Sequence, residues 1–369
     1  MVKRGYYIHY GARDIVGVSK KIDLQIEELK KMSEVEEISI PLKTKSFLVN
    51  MLAILPFVSL AWDYSSAYSK VEDADYLYIR SVAYDYKAIK FLRWIKSKNP
   101  NCKVLVEIPT YPCTKEHTRS LQGIVLYPKE WINKRRIRKY IDRYVLTVSG
   151  YSYVEGVPAI SIRNGVDIDK IKITESKNGS IECFEMIAVA MMQPAHGYER
   201  IIEGLKEYYI NDRKRKVVLN LVGDGPELSK YKKMVSEYNL DEYVIFSGEK
   251  KGQELDQLYA RADIALDGLG WYKFGIDKIS SLKCAEYMAK GLPVVAGLIN
   301  GNIEPDVPKF YMRVENSEKK IDILKMLSFY DELKEQYGED NLRLKIREYS
   351  RQYFDISNTF EPVINFLQE

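Results

Sequence analysis

The sequence predicts an α/β protein built from two doubly wound parallel-sheet domains in tandem, and three observations carry that prediction. Short apolar, strand-like runs alternate with charged amphipathic segments. The alternation halts in a polar stretch, Ile171 to Cys183, which contains Asn178-Gly179, and then starts again. A length of 369 residues suits two domains of ordinary size, each able to bury its own core.

In order, Gly5 to Tyr10 reads as the first strand, followed by a loop with Gly11 and Gly17 and a helix from about Ser19 to Lys31. Tyr76 to Ile79, Val104 to Ile108, Tyr144 to Val148 and Ala159 to Ile162 read as further strands, with helix-like segments such as Tyr86 to Lys96 between them. The second series is Met186 to Met191, Val217 to Val222, Tyr243 to Phe246, Ile264 to Leu266 and Pro293 to Ala296. Its helices fall near Tyr198 to Tyr208, Pro226 to Glu237 and Gln253 to Arg261. The expected division is therefore 1–170 and 184–345, joined by 171–183. Ligands of such sheets bind outside the carboxyl ends of the strands, so two domains facing one another are expected to enclose a cleft.

Composition excludes several function classes. With 46% hydrophobic and 29% charged residues the chain reads as globular, neither disordered nor membrane-spanning. A net charge of +4 is too small to indicate a nucleic-acid partner. Four scattered cysteines form no Cys-x-x-Cys pair, and His9, His117 and His196 are far apart, so no metal is expected, and no motif announces a cofactor. The N-terminus has no signal-peptide pattern, and a reduced, cytoplasmic location is expected.

The sharpest local signal is SSLKCAEYMAKGLPVVAG, Ser280 to Gly297. A helix entered at Ser280 or Ser281 has a hydroxyl to cap it, and its free amides and positive dipole end favour an anion. Lys283 sits in that first turn, and Glu286, one turn on, can accept two hydrogen bonds from a vicinal diol such as ribose. Leu282, Ala285, Met288 and Ala289 form the apolar face, and Gly291 suits a left-handed C-cap. A plain surface pair between Glu286 and Lys290 is the competing reading.

Other segments stand in register with this one: IRNGVDIDKI from Ile162, AVAMMQPAHGYERIIEGL from Ala188, LNLVGDGPELSKYKKMV from Leu219 and VIFSGEKKGQELDQLYARADIAL from Val244. Together they resemble the retaining glycosyltransferases of the GT-B fold, family 4, in the branch that builds bacterial capsular polysaccharides and exopolysaccharides. HGYER at His196 to Arg200 and SSLKCAEY are similar to that branch's sequences. The resemblance implies a metal-independent, retaining hexosyltransferase that moves a sugar from a nucleotide diphosphate, with a UDP-sugar the expected donor. It also implies a lipid-linked glycan acceptor and a C-terminal segment, 346–369, that crosses back to the first domain.

Residue by residue, Lys278, Lys283 and His196 are the catalytic candidates. Gly17, Lys273, Ser281, Lys283, Glu286, Gly223 and Gly248 are the donor-binding ones, and Glu107, Thr110, Tyr111 and Arg80 the acceptor-binding ones. Gly223 and Gly225 are expected to serve a strand-to-helix turn near the donor; Asn164 and Asp167 are expected to be interdomain or turn residues rather than ligands. Two departures from the family's pattern stand out. Lys278 occupies the place of the first of two glutamates, whose second is Glu286. Met191 or Met192 and His196 stand near Ala188, where the family's diphosphate-binding Arg and Lys are usual. Leaving-group charge then falls to the lysines and the helix start, since transfer leaves negative charge on a phosphate.

Glu107 in VEIPTYPCTKEH is read either as lining the cleft or as satisfied by amides of its own loop. Arg80 is read as an acceptor-phosphate contact or an ion-pair member. SFLVNMLAILPFVSLAW, Ser46 to Trp62, is too short and interrupted to span a membrane but is able to lie in an interface. KEWINKRRIRKYIDR, Lys129 to Arg143, places six basic residues between Lys134 and Arg143 beside Trp131, as a helix on an anionic membrane surface would. The rival readings are another nucleotide-sugar enzyme of this architecture and a non-catalytic nucleotide- or glycan-binding protein.

Overall fold

Tyr6, Tyr7 and Ile8 are consecutive and all buried, so their strand is covered on both faces, as in a parallel sheet between helices. The computed structural model describes all residues except 1–2, 12, 14–15, 43–61, 110, 112–120, 149, 176–182, 212–214 and 304–306, and only the backbone of 16 and 121–127. It divides into two compact units, Met1–Gly165 with Ile356–Glu369, and Val166–Asp355.

The first unit runs β1 (Lys3–His9), α1 (Val16–Lys30), β2 (Ser33–Ser39), α2 (Ser65–Lys70), β3 (Tyr76–Arg80), α3 (Tyr86–Lys98), β4 (Lys103–Ile108), α4 (Leu121–Ile137), β5 (Arg143–Leu146), β6 (Tyr153–Val154) and β7 (Val157–Ser161). Its sheet has the order β2-β1-β3-β4-β5-β7-β6, parallel except for the β6–β7 hairpin. Asp85 caps α3 by accepting from the Ala88 amide at 2.8 Å. The C-terminal helix Ile356–Gln368 seals one face, setting Phe360, Val363 and Leu367 among Tyr7, Ile22 and Ile26.

The second unit runs β8 (Cys183–Val189), α5 (Glu199–Asn211), β9 (Lys216–Val222), α6 (Leu228–Glu237), β10 (Val244–Gly248), α7 (Gly252–Arg261), β11 (Ile264–Leu266), β12 (Lys278–Ile279), α8 (Leu282–Ala289), β13 (Val294–Ala296), β14 (Ile299–Asn300), β15 (Tyr311–Arg313), α9 (Ile323–Tyr337) and α10 (Glu339–Phe354). Its parallel sheet has the order β10-β9-β8-β11-β13-β15, with β12 and β14 paired apart from it.

Several expectations need correction. Gly17 lies in the first turn of α1, which begins before Ser19, so it is a helix residue and not a loop residue. β2, SEVEEIS, was not expected as a strand; it is the sheet's edge, where one side needs no apolar partner and charged side chains are tolerated. Residues 346–354 continue α10, whose Leu342, Ile346 and Phe354 enter the second unit's core, so only the helix from Ile356 joins the first unit. Within 171–183 the described part is anchored: Thr174 donates to the Lys290 carbonyl at 2.7 Å, and Arg347 donates to that of Ile171 at 2.6 Å. Thr110, His117 and the segment 46–61 lie outside the described residues. No described helix is long and apolar enough to cross a membrane.

Candidate functional site

α8 starts where the sequence places it. Ser281 is the N-cap, its hydroxyl accepting from the Cys284 amide at 3.4 Å, while the Ser280 hydroxyl turns to Asn302. Cys284, Ala285, Tyr287, Met288 and Ala289 are buried, and Leu282 is half-buried. The helix ends at Gly291, with φ +83°, where a Cβ would stand 2.9 Å from the Arg343 carbonyl oxygen. The competing surface pair does not form. Glu286 accepts from the Tyr259 hydroxyl at 3.2 Å, and Lys290 turns away to Asp256 at 2.5 Å.

Loops from two strand ends converge on the head of α8. The loop after β8 supplies His196, whose Nε2 lies 2.8 Å from Lys283 Nζ. The loop after β11 supplies Asp267, 3.9 Å from the same Nζ. His196 and Asp267 are both buried, whereas the Lys283 side chain keeps 29% of its exposure. Burial, then the neighbouring Lys283, pushes the His196 pKa down to about 3. Burial likewise lowers the Lys283 pKa, opposed by Asp267.

Glycines let these loops touch. Gly223, with φ +119°, would place a Cβ 2.1 Å from the Ala190 carbonyl oxygen, and its amide donates to Gly248 O at 2.7 Å. A Cβ at Gly270 would stand 2.5 Å from the Pro194 oxygen. At Gly248 nothing lies within 4 Å, so it borders open space.

HGYER now has a physical reading. His196 meets Lys283; Gly197 takes φ +62° against Gly270; Tyr198 is core. Glu199 pairs with Lys273, and Arg200, 1% exposed, donates to the carbonyls of Lys319, Leu269 and Glu315. Lys273, expected on the diphosphate, is thus held by Glu199 and the Pro194 carbonyl. Lys278 lies half-buried on β12. Met191 is 63% exposed and Met192 is core. Asp267, Tyr259, Gln193, Gly268 and Gly270 were missed by sequence reasoning, although DGLG directly after a strand is itself a turn signal.

The acceptor candidates fare differently. Glu107 is fully buried: Lys21 reaches it at 2.9 Å, Gln25 at 2.8 Å and Tyr78 at 2.6 Å, and Arg80 completes the set. Burial alone would raise its pKa, but Lys21 and Arg80 hold it down to about 2. Glu107 and Arg80 are therefore spent on each other rather than turned to a ligand. Among the described residues the partners of Glu107 are not loop amides but side chains of α1 and β3. Tyr111 packs edge-on against Tyr151 at 4.8 Å. Among the described residues no cluster of three or more His, Cys, Asp or Glu is placed to hold a metal. A hollow of about 620 Å³ between Lys206, Tyr209, Tyr238 and Tyr243 lies at the trailing ends of α5 and α6, away from Lys283's neighbours.

Residues 172–305 match the family model of glycosyl transferases group 1. The matched residues include α8 and both converging loops. No curated protein matches the chain. Among solved structures it is similar to HepE from Anabaena (12% identical, TM-score 0.64, 99% of each chain). It is also similar to sucrose-phosphate synthase from Thermosynechococcus elongatus (14%, 0.67, 99% of each). A third is a glycosyltransferase from Rickettsia africae (13%, 0.63, 100% of this chain and 98% of that one). At such identities the likeness is one of fold, and the chain has the GT-B fold.

Proposed function

We propose that the protein is a retaining, metal-independent glycosyltransferase that binds a nucleotide-diphosphate sugar at the head of α8. The single observation that carries this is the joint placement of a capped helix N-terminus, Lys283 and Glu286 on one helix inside a glycosyl transferases group 1 domain. Amides and lysine would offset charge on the leaving diphosphate, and Glu286 would bind the ribose diol. HepE is described in complex with UDP and glucose, which favours a uridine nucleotide here too.

The acceptor we propose is a lipid-linked glycan of cell-surface polysaccharide synthesis, met at the inner face of the membrane. On α4 and just beyond it Trp131, Arg135, Arg136, Arg138 and Lys139 are exposed, with the Arg135 guanidinium 3.6 Å over the Trp131 ring, a face suited to anionic headgroups. Co-sedimentation with anionic but not zwitterionic vesicles, weakened by Trp131→Ala with Arg135→Glu, tests that face.

The donor site is tested by calorimetry with UDP, GDP and ADP. UDP should bind, and Glu286→Ala should weaken it roughly tenfold to a hundredfold; unchanged affinity in that variant would sink the assignment. A second reading, a nucleotide binder without turnover, is favoured by Lys278 standing where the family has a carboxylate. Release of nucleoside diphosphate from a nucleotide sugar in the presence of lipid-linked acceptor decides between them.

A further inference from the structure

The His196 ring has both nitrogens engaged, and its partners fix where its proton sits. The backbone amide of Gln193 donates to Nδ1 at 2.9 Å, so Nδ1 carries a lone pair. The proton of the neutral ring is then on Nε2, which points at Lys283 Nζ, 2.8 Å away. An ammonium has three donors and no acceptor. Were Lys283 charged, two N–H groups would face each other, unless the ring lost both protons and became an anion. With the Gln193 amide on Nδ1, the 2.8 Å contact fits a neutral amine that accepts from Nε2–H.

From this geometry we infer that donor binding is coupled to proton uptake: Lys283 rests as a neutral amine held by His196 and takes up one proton when a nucleoside diphosphate arrives. The inference rests on reading the head of α8 as the donor site. The proton comes from solvent or buffer and adds to the Nζ lone pair; the Nε2 proton stays on the ring, and no other bond changes. The new ammonium then donates to the diphosphate, and the freed Nε2–H becomes a second donor to it.

The groups around Lys283 suit two states. Asp267, on the loop after β11, is 3.9 Å from Nζ, too far to hydrogen-bond the resting amine, and its Oδ2 is buried with no partner among the described residues. It is therefore free to stabilise the ammonium once formed. Lys273 is held by Glu199, and Glu286, on the same helix, is engaged by Tyr259. Burial favours the uncharged lysine in the absence of ligand. His196 acts here as a positioning residue, through Lys283.

The test is calorimetry of UDP binding to the full chain in two buffers of different protonation enthalpy. At about pH 8 a terminal phosphate, with a pKa of about 6, is already ionised and contributes little. The wild type should take up close to one proton per UDP. Lys283→Arg, permanently charged, should bind UDP with almost no uptake, and His196→Gln should reduce uptake. Buffer-independent heat in a wild type that binds UDP overturns the inference and leaves the donor site standing. No binding of UDP, GDP or ADP overturns the donor site and the inference with it. Should the variants not fold, acylation of the wild type read by mass spectrometry takes their place. Lys283 should react at lower pH than the exposed Lys233 and be protected by UDP; a profile matching that of Lys233 overturns the inference.

Discussion

The two units place charged groups at the ends of parallel strands in opposite ways. In the first, Glu107 on β4 is closed in by Lys21, Gln25, Tyr78 and Arg80, and each carboxylate oxygen has at least one donor. In the second, among the described residues, Lys283 has no carboxylate within hydrogen-bonding distance, and Asp267 nearby keeps a buried oxygen without a partner. A closed set of buried charges fixes structure, because removing any member strands the others. An open set is an imbalance that a ligand can correct, which is why a functional reading attaches to the second cluster and is withdrawn from the first.

The largest expected effect is on the closed cluster. Glu107→Gln should destabilise the protein by about 3–5 kcal/mol in urea denaturation, since Lys21 and Arg80 would be left buried without their carboxylate. UDP affinity of the folded fraction should not change; if it does, the two clusters are not separable.

Acidification should come next and should act on the two units in sequence. The folded pKa of His196, about 3, is below its ordinary 6.5, so the unfolded chain takes the proton first. Its contribution is complete above pH 6.5 and is lost as pH falls toward 3. For Glu107 the window runs from 4.5 down to about 2. Hydrogen exchange across pH 6 to 4 should therefore show loosening around His196 before any around Glu107, and the reverse order would undo the comparison.

Gly223→Ala should cost about 1–3 kcal/mol, because its positive φ and the Ala190 carbonyl leave no place for a Cβ; UDP affinity should fall with it. The smallest effect belongs to Gly17→Ala. With no described atom within 4 Å of a Cβ placed there, in a helical first turn, stability should hold or rise by up to about 1 kcal/mol, as the melting temperature will show.

Much of the fold was legible because apolar runs such as Lys216–Val222 can only be strands covered on both faces. The capped start of α8 was legible for a local reason too, Ser281 and its amides being neighbours in the chain. β2 was not, because an edge strand with glutamates at positions 34, 36 and 37 carries no strong apolar alternation. Glu107 was misread because its fate depends on Lys21, 86 residues away in sequence, and on Gln25 of the same helix.

By itself the sequence determined most of the strands and helices, and that an anion-seeking helix start carries a lysine and a glutamate one turn apart. Those are matters of period, capping and dipole, acting within a few residues. Only the tertiary structure decided that Lys283 meets His196 across 87 positions, that Lys273 is already taken by Glu199, and that Glu107 is enclosed. Whether a charge is available to a ligand depends on what folding brings within about 3 Å of it, and no local pattern of residues records that.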